Sequence, residues 1–269
     1  MSDMMELAAL VPARRRGRKL AADWLLPLFT FVALVGAWWL ATIVFDWEKF
    51  IVPSPADVGE ALWENRSLLP GEFWTTLAET LQGFALAIAV AVPLAVGIAY
   101  SRTLERTIYP VILTINAVPK VAIAPILVIW LGFGQGPKVA MVFLICFFPI
   151  VLSTATGLAT TPPDLAELVR SLSASRTQEF VKVRLPAALP HVFVGLKVAI
   201  SLAVIGAVIG EFVGASRGLG YIIIASGGNA NTSLAFAAIV LLAVMSIGLF
   251  YAIVAIERML IPWARYENR

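Results

Sequence analysis

The amino-acid sequence predicts an all-α integral membrane protein with about six transmembrane helices. Of its 269 residues, 60% are hydrophobic and only 14% are charged, which leaves too few polar side chains to cover a water-soluble globule of this size. Several apolar segments reach the roughly 20 residues that a helix needs to cross the hydrocarbon core. Basic residues are also concentrated in alternate loops, as in multi-pass membrane proteins.

Six segments are long and apolar enough to span a bilayer. Four contain long runs free of Asp, Glu, Lys and Arg, whereas the third contains Lys120 and the fifth contains Lys197 and Glu211. These six segments predict one transmembrane domain over residues 23–262, preceded by a basic segment at 1–22 and followed by a tail at 263–269. The predicted spans are approximately 24–45, 76–101, 107–131, 139–157, 192–214 and 233–257.

The placement of basic residues predicts the orientation of these spans. Fourteen of the 20 Lys and Arg residues fall on the side that holds both termini, and four fall on the opposite side. Cytoplasmic loops carry the excess of Lys and Arg, so both termini are expected in the cytoplasm. No secretory signal peptide is evident, because the apolar run that follows the basic cluster is longer than that of a signal sequence.

Composition argues against several other kinds of site. The net charge of only +3 gives no reason to expect a nucleic-acid partner. Cys146 is the single cysteine and lies in an apolar run, so we interpret it as a buried structural thiol. His191 is the single histidine, and its place at the start of an apolar segment favours an interfacial side chain. No metal site and no catalytic cluster are predicted.

Two connecting segments contain helix-start signals. On the external side, Ser54 and Pro55 predict the N-cap and first residue of a short helix. On the cytoplasmic side, Pro162-Pro163 starts a helix, and Ser175 with Gln178 forms a capping box for a second one that Pro186 ends. The first of these two helices has an apolar stripe at helical spacing: Leu165, Leu168, Val169 and Leu172. Both are too short to be stable alone, so the coupling segment, residues 163–186, is expected to dock on a partner.

The coupling segment resembles a motif of binding-protein-dependent ABC importer permeases. That motif reads Glu-Ala-Ala, three residues, Gly, nine residues, Ile, one residue, Leu-Pro, and this chain has Glu167, Ser173, Val183 and Leu185-Pro186 at the same spacing. Leu168-Val169 replace the two alanines. Ser173 replaces the glycine, where a positive φ would cost about 1 kcal/mol or more, so a gentler bend is expected.

The resemblance covers nearly the whole chain after Trp24 and is closest to the nitrate, sulfonate and taurine branch of these permeases. The matching residues are Pro53-Ser-Pro55, Asn116 through Pro125, Trp130-Leu-Gly132, Glu211 followed by Gly218-Leu-Gly220-Tyr221, Glu257-Arg258 and Pro262-Trp263. The resemblance implies a type I ABC importer permease fold in the bacterial inner membrane. It also implies a second copy of this chain, two cytoplasmic ABC ATPase subunits and a periplasmic or lipid-anchored substrate-binding protein as partners.

The chain itself is not expected to be an enzyme, because it lacks the sequence Gly-x-x-x-x-Gly-Lys-[Ser/Thr] that binds ATP phosphates. It needs no cofactor, and ATP and Mg²⁺ belong to the partner ATPase. The resemblance assigns the contact with that ATPase to the coupling segment, at Glu167, Leu168, Leu172, Ser173, Ala174, Phe180, Leu185 and Pro186.

Charged residues inside spans are costly and should face a bundle interior or an aqueous path. Asn116, Lys120 and Glu211 are therefore predicted to line the translocation path, and Lys120 would attract an anion. An ion pair between Lys120 and Glu211, or a lysine reaching the interface, is the alternative. Lys197 is expected to snorkel to the interface.

The expected solute is a small anion such as a sulfonate, taurine or nitrate, with pyrimidine-type vitamin precursors and aromatic carboxylates as further possibilities. A secondary transporter or channel that works without an ATPase is the main alternative function, although the sequence shows no internal repeat of the kind common in such carriers.

Overall fold

The computed structural model describes residues 15–160, 164, 167, 169 and 171–265, and all regular elements in this part of the chain are helices. The predicted all-α class is confirmed. The helices are α1 (Arg15–Val44), α2 (Pro55–Glu64), α3 (Leu69–Tyr100), α4 (Arg102–Ala117), α5 (Lys120–Leu131), α6 (Gln135–Ala159), α7 (Arg176–Glu179) with a π-helix (Phe180–Arg184), α8 (Leu185–Gly214), α9 (Leu219–Gly228), α10 (Thr232–Leu260) and a 3-10 turn (Pro262–Arg265).

Five helical segments are long and apolar enough to cross a membrane, and the bent pair α4–α5 makes a sixth if it is counted as one span. The five are Leu25–Val44, Leu69–Tyr100, Gln135–Ala159, Thr177–Gly214 and Thr232–Leu260. The chain is therefore a multi-pass membrane protein. Helix α1 begins at Arg15, inside the predicted basic segment 1–22, and α3 begins at Leu69, ahead of the predicted start at residue 76.

The third predicted span, 107–131, is two helices rather than one. Helix α4 ends at Ala117, α5 begins at Lys120, and the helices are bent by 92° at this break. Pro119 has no N–H to continue the helix, and Val118 before it is extended, with φ −67° and ψ 129°, the conformation that the residue before a proline prefers.

The prediction that Pro186 ends a short helix is wrong. A helical run from Thr177 to Gly214 passes through Pro186 and Pro190. The π-helix, Phe180–Arg184, gives a wider turn just before α8, so Pro186 stands in the first turn of renewed α geometry. Proline is tolerated there, because its fixed φ suits a helix and its missing N–H interrupts no bond of the new helix.

Small residues bring the central helices α3, α6 and α8 into close contact. Ala87, Ala91 and Ala95 recur every fourth residue on α3 and are fully buried. On α8, a Cβ atom at Gly206 would lie 2.9 Å from the Cα of Val142 on α6, so the two backbones nearly touch. Close backbone approach through small residues is the usual way in which helices pack in lipid.

The single cysteine lies in this central core, as predicted. Cys146 on α6 is fully buried, and its thiol donates a hydrogen bond to the carbonyl oxygen of Ala199 on α8 at 3.2 Å. Helix α1, in contrast, lies outside the core, and no side chain in its most apolar stretch is buried.

The predicted start of the external helix α2 is confirmed. Ser54 is the N-cap and Pro55 the first helical residue. The backbone N–H of Asp57 donates to Ser54 Oγ at 3.2 Å, and the backbone N–H of Ser54 donates to Asp57 Oδ2 at 3.0 Å, which completes a capping box. Lys49 adds an ion pair to Asp57 at 2.5 Å.

We expect Asp57→Asn to destabilise α2 by about 0.5–1 kcal/mol at neutral pH, because it removes the charge that faces the helix N-terminus and pairs with Lys49. Hydrogen bonds from Lys49 and then Ser54 hold the pKa of Asp57 below its ordinary value. A carboxyl whose pKa is lowered on folding contributes stability above its unfolded value of about 4, and that stability is lost as the pH falls through the folded value.

Thermal unfolding of the purified protein between pH 7 and pH 3 measures this effect. The gap between wild type and Asp57→Asn should close on acidification. Glu60→Gln changes a carboxylate of the same helix outside the capping box and is the control. A gap that persists unchanged at pH 3 would contradict the prediction.

Candidate functional site

The first half of the predicted coupling segment is only partly described. Leu168 lies outside the described residues. Glu167 is exposed, and Leu172 has 74% of its surface exposed. An apolar side chain so exposed outside the spans is available for contact with another protein.

The bend after this half has the geometry of a glycine position, and the expectation of a gentler bend is wrong. Ser173 has φ 58°, in the left-handed region, which costs an L-residue about 1–2 kcal/mol. The N–H of Ala174 donates to the carbonyl oxygen of Val169 at 3.2 Å, closing the turn. The predicted capping box follows directly, because the N–H of Gln178 donates to Ser175 Oγ at 3.3 Å.

The second half of the coupling segment is attached to the transmembrane helices. The ring of Phe180 packs on the ring of Tyr100 at the end of α3, with 5.1 Å between centroids. Arg184 donates to Glu179 Oε1 from Nε at 2.9 Å and from a terminal nitrogen at 2.7 Å, spanning the π-helix. Leu185 and Pro186 are half-buried at the start of α8. The structure thus divides the predicted coupling residues into an exposed part and an anchored part.

The three predicted path residues do not come together. Lys120 Nζ donates to Asn116 Oδ1 at 2.6 Å across the break between α4 and α5, and both side chains are half-buried. Glu211 lies on α8 with only 1% of its surface exposed and hydrogen bonds to other partners. The alternative ion pair between Lys120 and Glu211 is therefore not formed. Lys197, which is expected to snorkel, pairs with Glu257 on α10, with 3.0 Å between Nζ and each carboxylate oxygen.

Glu211 belongs to a buried polar cluster at the N-terminus of α9. This short helix has Gly218 as its N-cap and therefore no capping side chain of its own. Three successive backbone N–H groups donate instead to side chains of α3 and α8: Gly218 to Glu72 Oε2 at 2.5 Å, Leu219 to Thr76 Oγ1 at 2.9 Å and Gly220 to Glu211 Oε2 at 2.5 Å. We call these three side chains, Glu72, Thr76 and Glu211, the α9 cap.

Two members of the α9 cap also hydrogen-bond each other, and a second buried polar pair, Glu79 and Lys138, lies next to the cap. Thr76 Oγ1 donates to Glu211 Oε1 at 2.7 Å. One turn further along α3, Glu79 Oε1 accepts from Lys138 Nζ of α6 at 2.7 Å, and both side chains are buried. Lys138 and Glu79 lie close enough to Glu211 to interact with it electrostatically.

Electrostatics explains how these charges are accommodated inside the bundle. Burying a carboxylate is costly unless donors surround it. The N-terminus of a helix supplies free N–H groups and a partial positive charge, and Lys138 supplies a full one. Two glycines make the approach possible: Gly218 has φ 110°, and a Cβ atom at Gly220 would lie 2.7 Å from Glu211 Oε2.

The sequence predicts only part of this cluster. It places Glu211 in the translocation path and matches Gly218-Leu-Gly220 to a family pattern, but it gives no role to Glu72, Thr76, Glu79 or Lys138. A signal for three of these is present, because Glu72, Thr76, Glu79, Thr80 and Gly83 recur at helical spacing on the buried face of α3. Among the described residues, no group of three His, Cys, Asp or Glu side chains is placed to hold a metal ion.

We expect Lys138→Met to destabilise the protein by about 3–5 kcal/mol, because it leaves the Glu79 carboxylate buried without its cation. The double variant Glu79→Gln/Lys138→Met should regain most of that loss. Thermal unfolding in detergent measures both. Lys197→Met is the matched comparison: the side chains of its pair with Glu257 are about one-fifth exposed, against 7% and 0% for Lys138 and Glu79, so its loss should be clearly smaller than that of Lys138→Met. Equal losses for the two lysine variants would refute this account.

Most of the chain is similar in sequence to known proteins. Residues 83–266 match a family described as the binding-protein-dependent transport system inner membrane component. A probable ABC transporter permease protein of Haemophilus influenzae is 35% identical over 227 residues, covering 84% of this chain and 93% of the relative. The formylaminopyrimidine transport permease protein of Halalkalibacterium halodurans is 33% identical over 245 residues, covering 90% and 96%.

More distant relatives extend these matches. The taurine transport system permease protein of Escherichia coli is 27% identical over 270 residues, covering 96% of this chain and 98% of the relative. Among solved structures, a chain of the inward-facing MetNI methionine ABC transporter has a similar fold, with a TM-score of 0.65, 23% identity, and coverage of 72% of this chain and 96% of that chain.

Proposed function

We propose that two copies of this chain form the path through which an ABC importer carries a small solute. The chain belongs to the family of binding-protein-dependent transport system inner membrane components. The chain is a permease subunit, and the family match over 83–266 is the observation on which the proposal depends. The bacterial inner membrane, with both termini in the cytoplasm, is the proposed location, because basic residues are concentrated on the side that holds the termini.

Energy for transport comes, in this proposal, from two cytoplasmic ABC ATPase subunits that bind ATP and Mg²⁺. A periplasmic or lipid-anchored binding protein delivers the solute. The family's description as a binding-protein-dependent transport component supports the second partner, and the names of ABC transporter relatives support the first. In this proposal the chain itself binds no cofactor and hydrolyses no ATP.

The coupling segment is the proposed contact with the ATPase subunits. Its exposed part, which includes Glu167 and Leu172, would lie in the ATPase surface. Its anchored part would transmit movements of the ATPase subunits to the transmembrane helices, because Phe180 packs on Tyr100 of α3 and the π-helix runs directly into α8. A force on the exposed part therefore reaches two central helices of the bundle. Ser173 and Ala174 form the bend between the exposed and anchored parts, and Leu185 and Pro186 begin α8. Leu168 is proposed as a further contact with the ATPase subunit.

A small anion such as a sulfonate, taurine or nitrate is the proposed solute. The half-buried ammonium of Lys120, held by Asn116 at the break between α4 and α5, is a cation in a span where an anion can be attracted. The relatives carry chemically different solutes, since their names include taurine, formylaminopyrimidine and riboflavin. Taurine and aliphatic sulfonates, the solutes named for two of these relatives, both carry an anionic sulfonate group, which supports the choice.

Glu167→Ala and Ser173→Trp should each lower the ATPase activity that the binding protein stimulates in the complex, in lipid, by about tenfold. A tenfold change corresponds to about 1.4 kcal/mol of lost docking free energy. Ser173→Gly is the matched control, because glycine adopts the φ of 58° without strain and should keep full activity.

The same preparation tests the function class. If no ATPase subunit co-purifies with the chain and solute crosses the membrane without nucleotide, the proposed function is wrong. A secondary transporter or channel would then explain the result.

A further inference from the structure

Helix α9 is a short apolar helix with one buried end. Its ten residues rise about 15 Å, half the thickness of the hydrocarbon core. Gly218, Leu219 and Gly220 at its start are buried, whereas Gly227 and Gly228 at its end are exposed with open space around them. The buried start lies against the polar cluster, and the exposed end lies toward the connection to α10.

The backbone turns sharply at both ends of α9. Gly218 before it has φ 110°, and Ala230 after it has φ 57°. Only residues 215–218 join α9 to α8, and only residues 229–231 join it to α10. Connections this short allow α9 little independent movement, so a displacement of α9 must also displace α8 or α10.

Two of the three bonds that hold the start of α9 go to carboxylates. A hydrogen bond to a charged group is about twice as strong as one between neutral groups, and losing one shifts a conformational equilibrium by about tenfold or more. Thr76 connects the two sides, because its hydroxyl accepts from Leu219 and donates to Glu211. The α9 cap therefore joins α3, α8 and α9 through buried hydrogen bonds. Lipid offers no acceptors to replace them, and a buried polar group left without its partner is costly.

We propose that Glu211 is a positioning residue for transport: with Thr76 and Glu72 it fixes α9 to α3 and α8, so that these three helices move as one body at the external mouth. In the predicted orientation, the cap lies on the side opposite the termini, where the binding protein delivers its solute. Glu211 then acts on the solute through α9 rather than by touching it. This inference rests on the proposed function and reassigns Glu211 within it.

The position of α9 can be measured directly, without a known solute. Two spin labels are attached at Ile224→Cys on α9 and Glu64→Cys on α2, both exposed, in a Cys146→Ala background. Labelled chains are diluted with unlabelled copies in lipid, and pulsed electron paramagnetic resonance gives the distance distribution. The intact cap should give one dominant distance with only a small share of a second, and Glu211→Gln should raise the ratio of the second distance to the first about tenfold.

Function is read from the same variants in complex with the ATPase subunits. The ratio of binding-protein-stimulated to basal ATPase activity, per folded complex, should fall about tenfold in Glu211→Gln, matching the shift in the position of α9. Glu257→Gln is the matched control, because it removes an intramembrane carboxylate that pairs with Lys197 away from α9. Its distance distribution and activity ratio should equal those of the wild type.

A second pair of variants covers the case in which Glu211→Gln fails to fold. Thr76→Val keeps the shape of the side chain and removes its hydroxyl, whereas Thr76→Ser keeps the hydroxyl. The proposal requires that Thr76→Val shift α9 and lower the activity ratio and that Thr76→Ser restore both.

Two outcomes would overturn the proposal. One is an unchanged distance distribution in Glu211→Gln and Thr76→Val. The other is a shifted distance with an unchanged activity ratio per folded complex, which a purely structural role would produce. If no ATPase subunit binds the chain, the proposed function fails, whereas the distance measurement on the chain alone still decides whether Glu211 positions α9.

Discussion

The N-terminus of α9 is the constraint on which one end of this bundle depends. Its unpaired N–H groups need acceptors in a place that water does not reach freely, and two carboxylates and a hydroxyl supply them. The same contact accounts for three otherwise separate features. It makes buried Glu72 and Glu211 tolerable, it requires glycine at 218 and 220, and it links helices that are far apart in the sequence.

Elsewhere the bundle is held mainly by close packing, with few polar bonds such as the pair of Lys197 and Glu257. Lipid tails are as apolar as the helix surfaces, so apolar contact alone gives little preference for protein over lipid. The alanines of α3 and the glycines of α8 solve this by letting backbones approach, as at Gly206 against Val142. The molecule therefore has a tightly packed centre with the hydrogen-bonded α9 cap at one end. At the opposite end the coupling segment packs on α3 through Phe180 and Tyr100.

The sequence was most informative where a pattern has a single local cause. Apolar length predicted the spans, and Ser54 with Pro55 predicted the start of α2. It failed where the outcome depends on tertiary partners. Pro119 and Pro186 look alike as helix breakers, yet the two helices that meet at Pro119 are bent by 92°, whereas the helix continues through Pro186. Helix α9 was missed because it is too short for a span, and Glu79 with Lys138 because their partnership joins residues 59 positions apart.

The distance along the chain between the α9 cap and its helix has a consequence for biosynthesis. Glu72 precedes Gly218 by 146 residues, so a ribosome has made α3, α6 and α8 before the first turn of α9 exists. During that interval the acidic end of α3 has neither α9 nor, at first, Lys138. Until residue 220 has been made, the N–H groups that donate to Glu72 and Glu211 in the folded protein do not exist. The external end of α3 thus cannot reach its native environment while translation of the first two hundred residues is under way.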